Sequence, residues 1–102
     1  MKTKEELIQA ISGVKHPAID YSLWDLGIVK DIIPAEDEVT VIFAFPFPNI
    51  PIATQLVNSI AQVIIEMGFI FKYQIIVMTE LEKEKFLKME HEAWTGSAPS
   101  NN

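Results

Sequence analysis

Two histidines, fourteen carboxylates and no cysteine make up most of the reactive inventory of this chain. The missing thiol excludes disulfides, thiolate nucleophiles, Cys-ligated zinc and any iron–sulfur cluster held by the chain's own sulfur. His16 and Asp20 stand four apart and could chelate a metal together with Asp25. Such a set offers imidazole and carboxylate donors, which favour hard or borderline ions. Pro17 interrupts it, however, and the spacing matches no metal signature, so a surface histidine preceding a proline is the plainer reading of His16. Asp25 has two readings. It is either a site carboxylate facing the 46–51 loop or a loop cap that accepts backbone N–H groups before a turn at Gly27. His91 stands between Glu90 and Glu92, and adjacent helical residues do not share a face, so it belongs to a solvated surface. Ser12, Ser22 and Ser59 have no nucleophile motif around them, and four scattered glycines form no phosphate loop. No catalytic residue is assigned, and neither enzymatic activity nor a resident cofactor is expected.

The elements that must position these groups follow from capping and periodicity. Thr3 and Glu6 form a capping box, and Leu7, Ile8, Ile11 and Val14 make one apolar stripe, so a helix of about twelve residues is predicted, ending before His16-Pro17. The segment AIDYSLWDLG has no clean period and reads as an ordered loop or a single helical turn. GIVKDII reads as a strand, PAEDE as a solvated turn and VTVIFAF as a second strand, together an antiparallel hairpin. Val39, Val41, Phe43 and Phe45 alternate with Thr40, Ile42 and Ala44.

PFPNIP holds three prolines in six residues and is no regular element. A helix is predicted from Pro51 to Met67, with Asn49 the best capping residue and Gly68 its stop. Its core face is Ile52, Ala53, Leu56, Val57, Ile60, Ala61 and Ile64. FIFKYQIIVM is the third strand, with Phe69, Phe71, Tyr73, Ile75 and Val77 on one face. Thr79 and Glu82 then cap a last helix of about fourteen residues, whose sticky side is Phe86, Met89 and Ala93, with Leu87 and Trp94 beside them.

The order α-β-β-α-β-α implies an α+β fold, a two-layer sandwich with a small mixed sheet containing an antiparallel hairpin. One domain spans residues 1–94, and the polar tail 95–102 is expected to be disordered. Ile42, Ala44, Ile70, Ile76 and Met78 fall on the outer sheet face, which either the last helix or a second subunit must cover, making a homodimer one of the two solutions. The net charge of −6, with every cation a lysine, disfavours nucleic acid as a partner. No apolar run approaches the roughly 20 residues of a membrane span. The opening MKTKEELIQ is unlike a signal peptide, so a cytoplasmic protein is expected.

HPAIDYSLWDLGIVKDI resembles the opening motif of the iron–sulfur cluster assembly domain family, which includes SufT-like and PaaD-like proteins and the N-terminal domain of Mrp-type ATPases. Pro17, Ile19, Ser22, Asp25, Leu26, Gly27 and Val29 match that motif, whereas His16, Ala18 and Asp20 do not. Pro48 and Pro51 fall in register with the family's loop after the second strand, and the likeness spans residues 4–79. Asp25, Leu26 and Gly27 are thereby identified as the family motif, and Pro46, Pro48, Asn49, Ile50 and Pro51 as its site loop in altered form. The family's loop carries a Cys where this chain has Ile50, a Thr where it has Pro46 and a Gly where it has Asn49. The family's Pro-Pro-Trp-Thr ending is replaced by a helix, with Trp94-Thr95 after it. Because Ile has no lone pair for iron, the resemblance implies the scaffold without the thiol chemistry. The expected role is a non-catalytic interaction or scaffold module of metal–sulfur cluster biogenesis, docking a protein partner of the iron–sulfur assembly machinery through Trp24, Phe47 and Ile50. The alternatives are a metal-binding accessory protein using His16, Asp20 or Asp25, and a small-molecule-binding domain or enzyme.

Overall fold

The computed structural model describes residues 3–94; the expectation for the tail 95–102 lies outside them. The elements are α1 (Lys4–Ile11), β1 (Val29–Ala35), β2 (Glu38–Phe45), α2 (Ala53–Glu66), β3 (Ile70–Val77) and α3 (Glu80–Ala93). The order α-β-β-α-β-α and the mixed sheet match the reading of the sequence. In the sheet, order β1-β2-β3, β1 and β2 are antiparallel and β2 and β3 parallel.

Both capping boxes form. Thr3 accepts from the Glu6 amide and Thr79 from the Glu82 amide, and each glutamate returns a bond to the cap residue's N–H. The first helix is shorter than the predicted twelve residues. It stops at Ile11, and Gly13 lies just beyond its Ser12 cap, where a residue of low helix propensity favours fraying. Its buried contacts are Leu7 and Ile11.

The hairpin turn is tighter than PAEDE suggests. β1 continues through Pro34 and Ala35, and Glu36 and Asp37 alone make the connection. Glu36 adopts φ 57°, the left-handed conformation that such a two-residue turn requires. Pro34 is tolerated because β1 is an edge strand, where a missing amide need cost no ladder bond.

α2 also begins later than predicted, and Asn49 does not cap it. Ile52 is the N-cap and makes no side-chain bond, while the Ala53 amide donates to the Ile50 carbonyl 3.0 Å away. Pro51 and Ile52 therefore belong to the turn that enters the helix. Gly68 does provide the exit, at φ 96°.

Leu56, Val57, Ile60 and Ile64 of α2 join Leu7 and Ile11 of α1 over Ile32, Val39, Val41 and Phe43 in one core. Phe43 stacks on Phe45 at 6.3 Å and meets the Tyr73 ring edge-on at 6.1 Å. The expected apolar face of β3 is only half covered, however. Tyr73, Ile75 and Val77 each remain about half exposed. α3 does not spread over the outer sheet face either. Ala44 and Met78, at the end nearest α3, are buried, but Ile33, Ile70 and Ile76 stay exposed. No helix among the described residues is long and apolar enough to cross a membrane.

Candidate functional site

The sequence motif segment is a folded connection between α1 and β1. Lys15 bridges Ser22, and the Leu23 amide donates to the Val14 carbonyl at 2.9 Å. Ser22 is buried and organises the turn. Its Oγ accepts from the Asp25 amide at 3.0 Å, and its carbonyl accepts from the Leu26 amide at 3.0 Å. The capping duty considered for Asp25 thus belongs to Ser22, because the hydroxyl lies inside the turn and Asp25 is exposed. Gly27 follows at φ 81°, a left-handed conformation unfavourable for any side chain. Leu26 and Ile28 are buried on either side of it. The family-like Asp25-Leu26-Gly27 frame therefore shapes the backbone that leads into β1.

His16, Asp20 and Asp25 do not come together as ligands. The Asp20 carboxylate pairs with Lys15 at 2.7 Å. His16 Nδ1 accepts from the Ala18 amide at 3.0 Å, which leaves Nε2 to carry the proton of the neutral ring. Partial burial lowers the His16 pKa below its ordinary value. Among the described residues, no group of three or more His, Asp and Glu side chains is placed to hold a metal ion.

A concavity lies where the 45–52 segment faces α3. It is a cavity of about 180 Å³. Ile28, Phe45, Leu56 and Phe86, all buried, supply its interior, and Ile50 and Ile52 add to the wall. Phe47, Leu87 and Trp94 are more exposed and form its rim. Among the described residues, His16 and Glu90 are the only titratable groups in its lining. Lys83 stands 5.1 Å from the centre of the Phe47 ring, a cation–π contact from the first turns of α3. The Asp20 amide donates to the Ala93 carbonyl at 2.9 Å, and Ile19 pairs with Trp94, so the end of α3 is tied back onto the motif segment.

Of the predicted partner surface, Phe47 and Ile50 line this cavity together with Pro46. Trp24 does not line it and packs instead, partly buried, against the core. Pro48, Asn49 and Pro51 are exposed on the loop outside it. Sequence reasoning treated Phe86, Leu87 and Trp94 only as the sticky side of a helix. Their signal was available: positions 86, 87, 90 and 94 share one helical face, and that face carries the single carboxylate of Glu90. What the spacing could not give is the direction in which α3 turns after β3.

Chemically, the cavity is an aliphatic and aromatic socket with an imidazole and a carboxylate in its lining. It suits an apolar side chain, and among the described residues it offers no nucleophile.

A comparison with protein-family models finds no match, and neither does a comparison with curated proteins. Among solved structures, the fold is similar to a crystal structure titled as a domain of unknown function, DUF59, from Bacillus anthracis. The TM-score is 0.59 at 17% identity, covering 79% of this chain and 88% of that one. At that identity the likeness establishes a shared fold.

Proposed function

We propose that this chain is a non-catalytic protein-interaction module of the iron–sulfur cluster assembly domain family, acting in the cytoplasm in metal–sulfur cluster biogenesis. Its cavity takes an apolar side chain from a partner protein of that machinery. The DUF59 fold neighbour supports the family, which includes PaaD-like and SufT-like domains. One observation carries the reading: Ile50, standing where the resemblance places a Cys, is part of the wall of an apolar socket. A position that serves metal–sulfur chemistry in relatives has here become part of a hydrophobic recognition surface. Aromatic side chains at such a rim are typical anchors of protein contacts.

The test is capture of assembly proteins by the wild type and by Ile50→Asp. Ile50 is only partly buried, so the variant should keep its melting temperature while its added charge empties the socket of apolar guests. Loss of the captured partner with an unchanged melting curve is expected. Equal recovery by both proteins would remove this surface from consideration. A coloured wild-type protein with a stoichiometric cluster seated at the 46–51 loop would overturn the reading altogether.

A further inference from the structure

The edge of the sheet formed by β3 is open and apolar, and its backbone directions are fixed by its neighbours. The Ile70 amide donates to the Asp37 carbonyl and the Met78 amide to the Phe45 carbonyl, both at 2.8 Å. Even-numbered residues of β3 therefore turn their backbone groups toward β2. Alternation leaves the N–H and C=O groups of Phe71, Tyr73, Ile75 and Val77 pointing outward along the free edge. Nothing in the strand blunts that edge. It has no proline, glycine or bulge and a single charge, Lys72, already paired with Glu38 at 3.3 Å. An edge of this kind invites another strand.

We infer that a second copy of this chain covers it, with β3 pairing antiparallel to its own counterpart across a two-fold axis at Gln74, making one six-stranded sheet. The register follows from the residues. A two-fold axis perpendicular to the sheet keeps each side chain on its own face, so only residues of like parity can oppose each other. Centring on Gln74 places Tyr73 of each copy against Ile75 of the other and Phe71 against Val77. All four carry outward backbone groups, so every pair forms ladder bonds. Aromatic against β-branched is a favourable cross-strand combination. The two Gln74 side chains face each other, and each amide can both donate and accept. Lys72 meets Ile76, and the two lysines stay on the order of 14 Å apart, beyond the screening length at physiological salt. Centring on Lys72 would instead set like charges in direct opposition.

The self-complementary register selects a second copy as occupant, and charge does not oppose it locally. The molecule carries a net −6, yet none of its carboxylates lies on β3, so pairing there brings two nearly neutral strips together. The chain's own tail, TGSAPSNN, offers only one alanine to the exposed apolar side chains and is no substitute. On the helix side, the groove between Ala53, Val57 and Ala61 of α2 and the strand gains a new wall from the incoming copy.

Light scattering on the full chain over a concentration series tests this. The wild type should reach twice the mass of one 11.5 kDa chain. Ile75→Pro takes no hydrogen bond from the β2 ladder, only an outward N–H, so it should give the single-chain mass at a modest cost in melting temperature. Gln74→Pro, which removes a ladder bond to β2, should lower the melting temperature further. Should the proline variants fail to fold, charge replaces them. Tyr73→Glu alone should give single chains. Tyr73→Glu combined with Ile75→Lys should restore the pair, because the new acid of each copy faces the new base of the other. A wild type that keeps the single-chain mass at its highest soluble concentration overturns the proposal and points to a strand from a different protein. So does a Tyr73→Glu chain that still pairs. Ile50→Asp should leave the doubled mass intact, which separates failure here from failure of the socket.

Discussion

The sheet has two edges, and they are built on opposite principles. β1 is guarded. Pro34 removes a donor, the register slips between Val29 and Asp31, and two ion pairs pin the strand from both sides, Lys4 to Asp31 at 2.9 Å and Lys30 to Glu82 at 3.1 Å. Proline, bulges and charge are the recognised means of keeping an edge solitary. β3 has none of them except Lys72, and it exposes Ile70, Tyr73, Ile75, Ile76 and Val77. Apolar character therefore does two jobs. On β1 it seals a core, and on β3 it leaves a surface to be paired. An edge protected in one place and left bare in another marks where contact is excluded and where it is admitted.

The largest effect should separate the two strands by a single kind of substitution. Ile32 of β1 is fully buried, whereas Ile75 of β3 is half exposed. Ile32→Ala creates a cavity beneath α1 and should cost about 2–5 kcal/mol in denaturant unfolding. Ile75→Ala, measured at a dilution where chains are single, should cost well under half of that. Comparable losses at both positions would mean that β3 is as much a core strand as β1, and the contrast would fail.

A smaller effect concerns the turn that joins β1 to β2. Glu36 holds φ 57° with a side chain that disfavours it. Glu36→Gly relieves that strain and should raise stability by about 0.5–1 kcal/mol, part of which glycine returns through its greater unfolded-state freedom. A loss in its place would show that the Glu36 carboxylate does more in the turn than tolerate its backbone.

How much of this was legible beforehand depended on whether the signal was local. The two capping boxes, the Gly68 exit and the alternation of Val39 to Phe45 are written into neighbouring residues, and the structure has them in place. The misreadings were of extent. PAEDE looked like a turn because proline and three acids suggest one, but an edge strand can carry Pro34, so β1 ran longer. Asn49 looked like a cap because its side chain could serve, but the proline-rich loop delays the first helical turn until Ile52. The site was half legible. Phe47 and Ile50 were marked by their loop, yet the other wall comes from α3, more than thirty residues on. Trp24, also marked, turned inward, since an amphipathic pattern cannot tell a rim from a core when the segment has no period. Nor could the pattern of β3 reveal its exposure: its apolar face alternates properly, but α2 is not placed to cover it.

Acid should loosen the guarded edge by a modest amount. Glu82 is held below its ordinary value of 4.5 by the Thr79 amide and then by Lys30. Asp31 is held below 3.8 by Lys4 and then by the Ile32 amide. A carboxyl with a lowered folded-state pKa contributes stability that is present above its unfolded-state value and is lost as pH falls through the lower folded-state value. Both contributions should thus be intact near neutrality and fade in moderately acidic solution, where unfolding binds the extra protons. Both pairs are substantially solvent-exposed, so each amounts to a few tenths of a kcal/mol after screening. Glu82→Gln isolates one of them, because glutamine can still complete the capping box with Thr79 while losing the charge that meets Lys30. Its melting temperature should lie slightly below wild type at neutral pH and converge with it in acid. Added salt should shrink the neutral-pH gap, since it screens Lys30–Glu82 directly. A gap that persists unchanged through acid and salt would mean that the pair does not pin β1, leaving Pro34 and the bulge as its only guards.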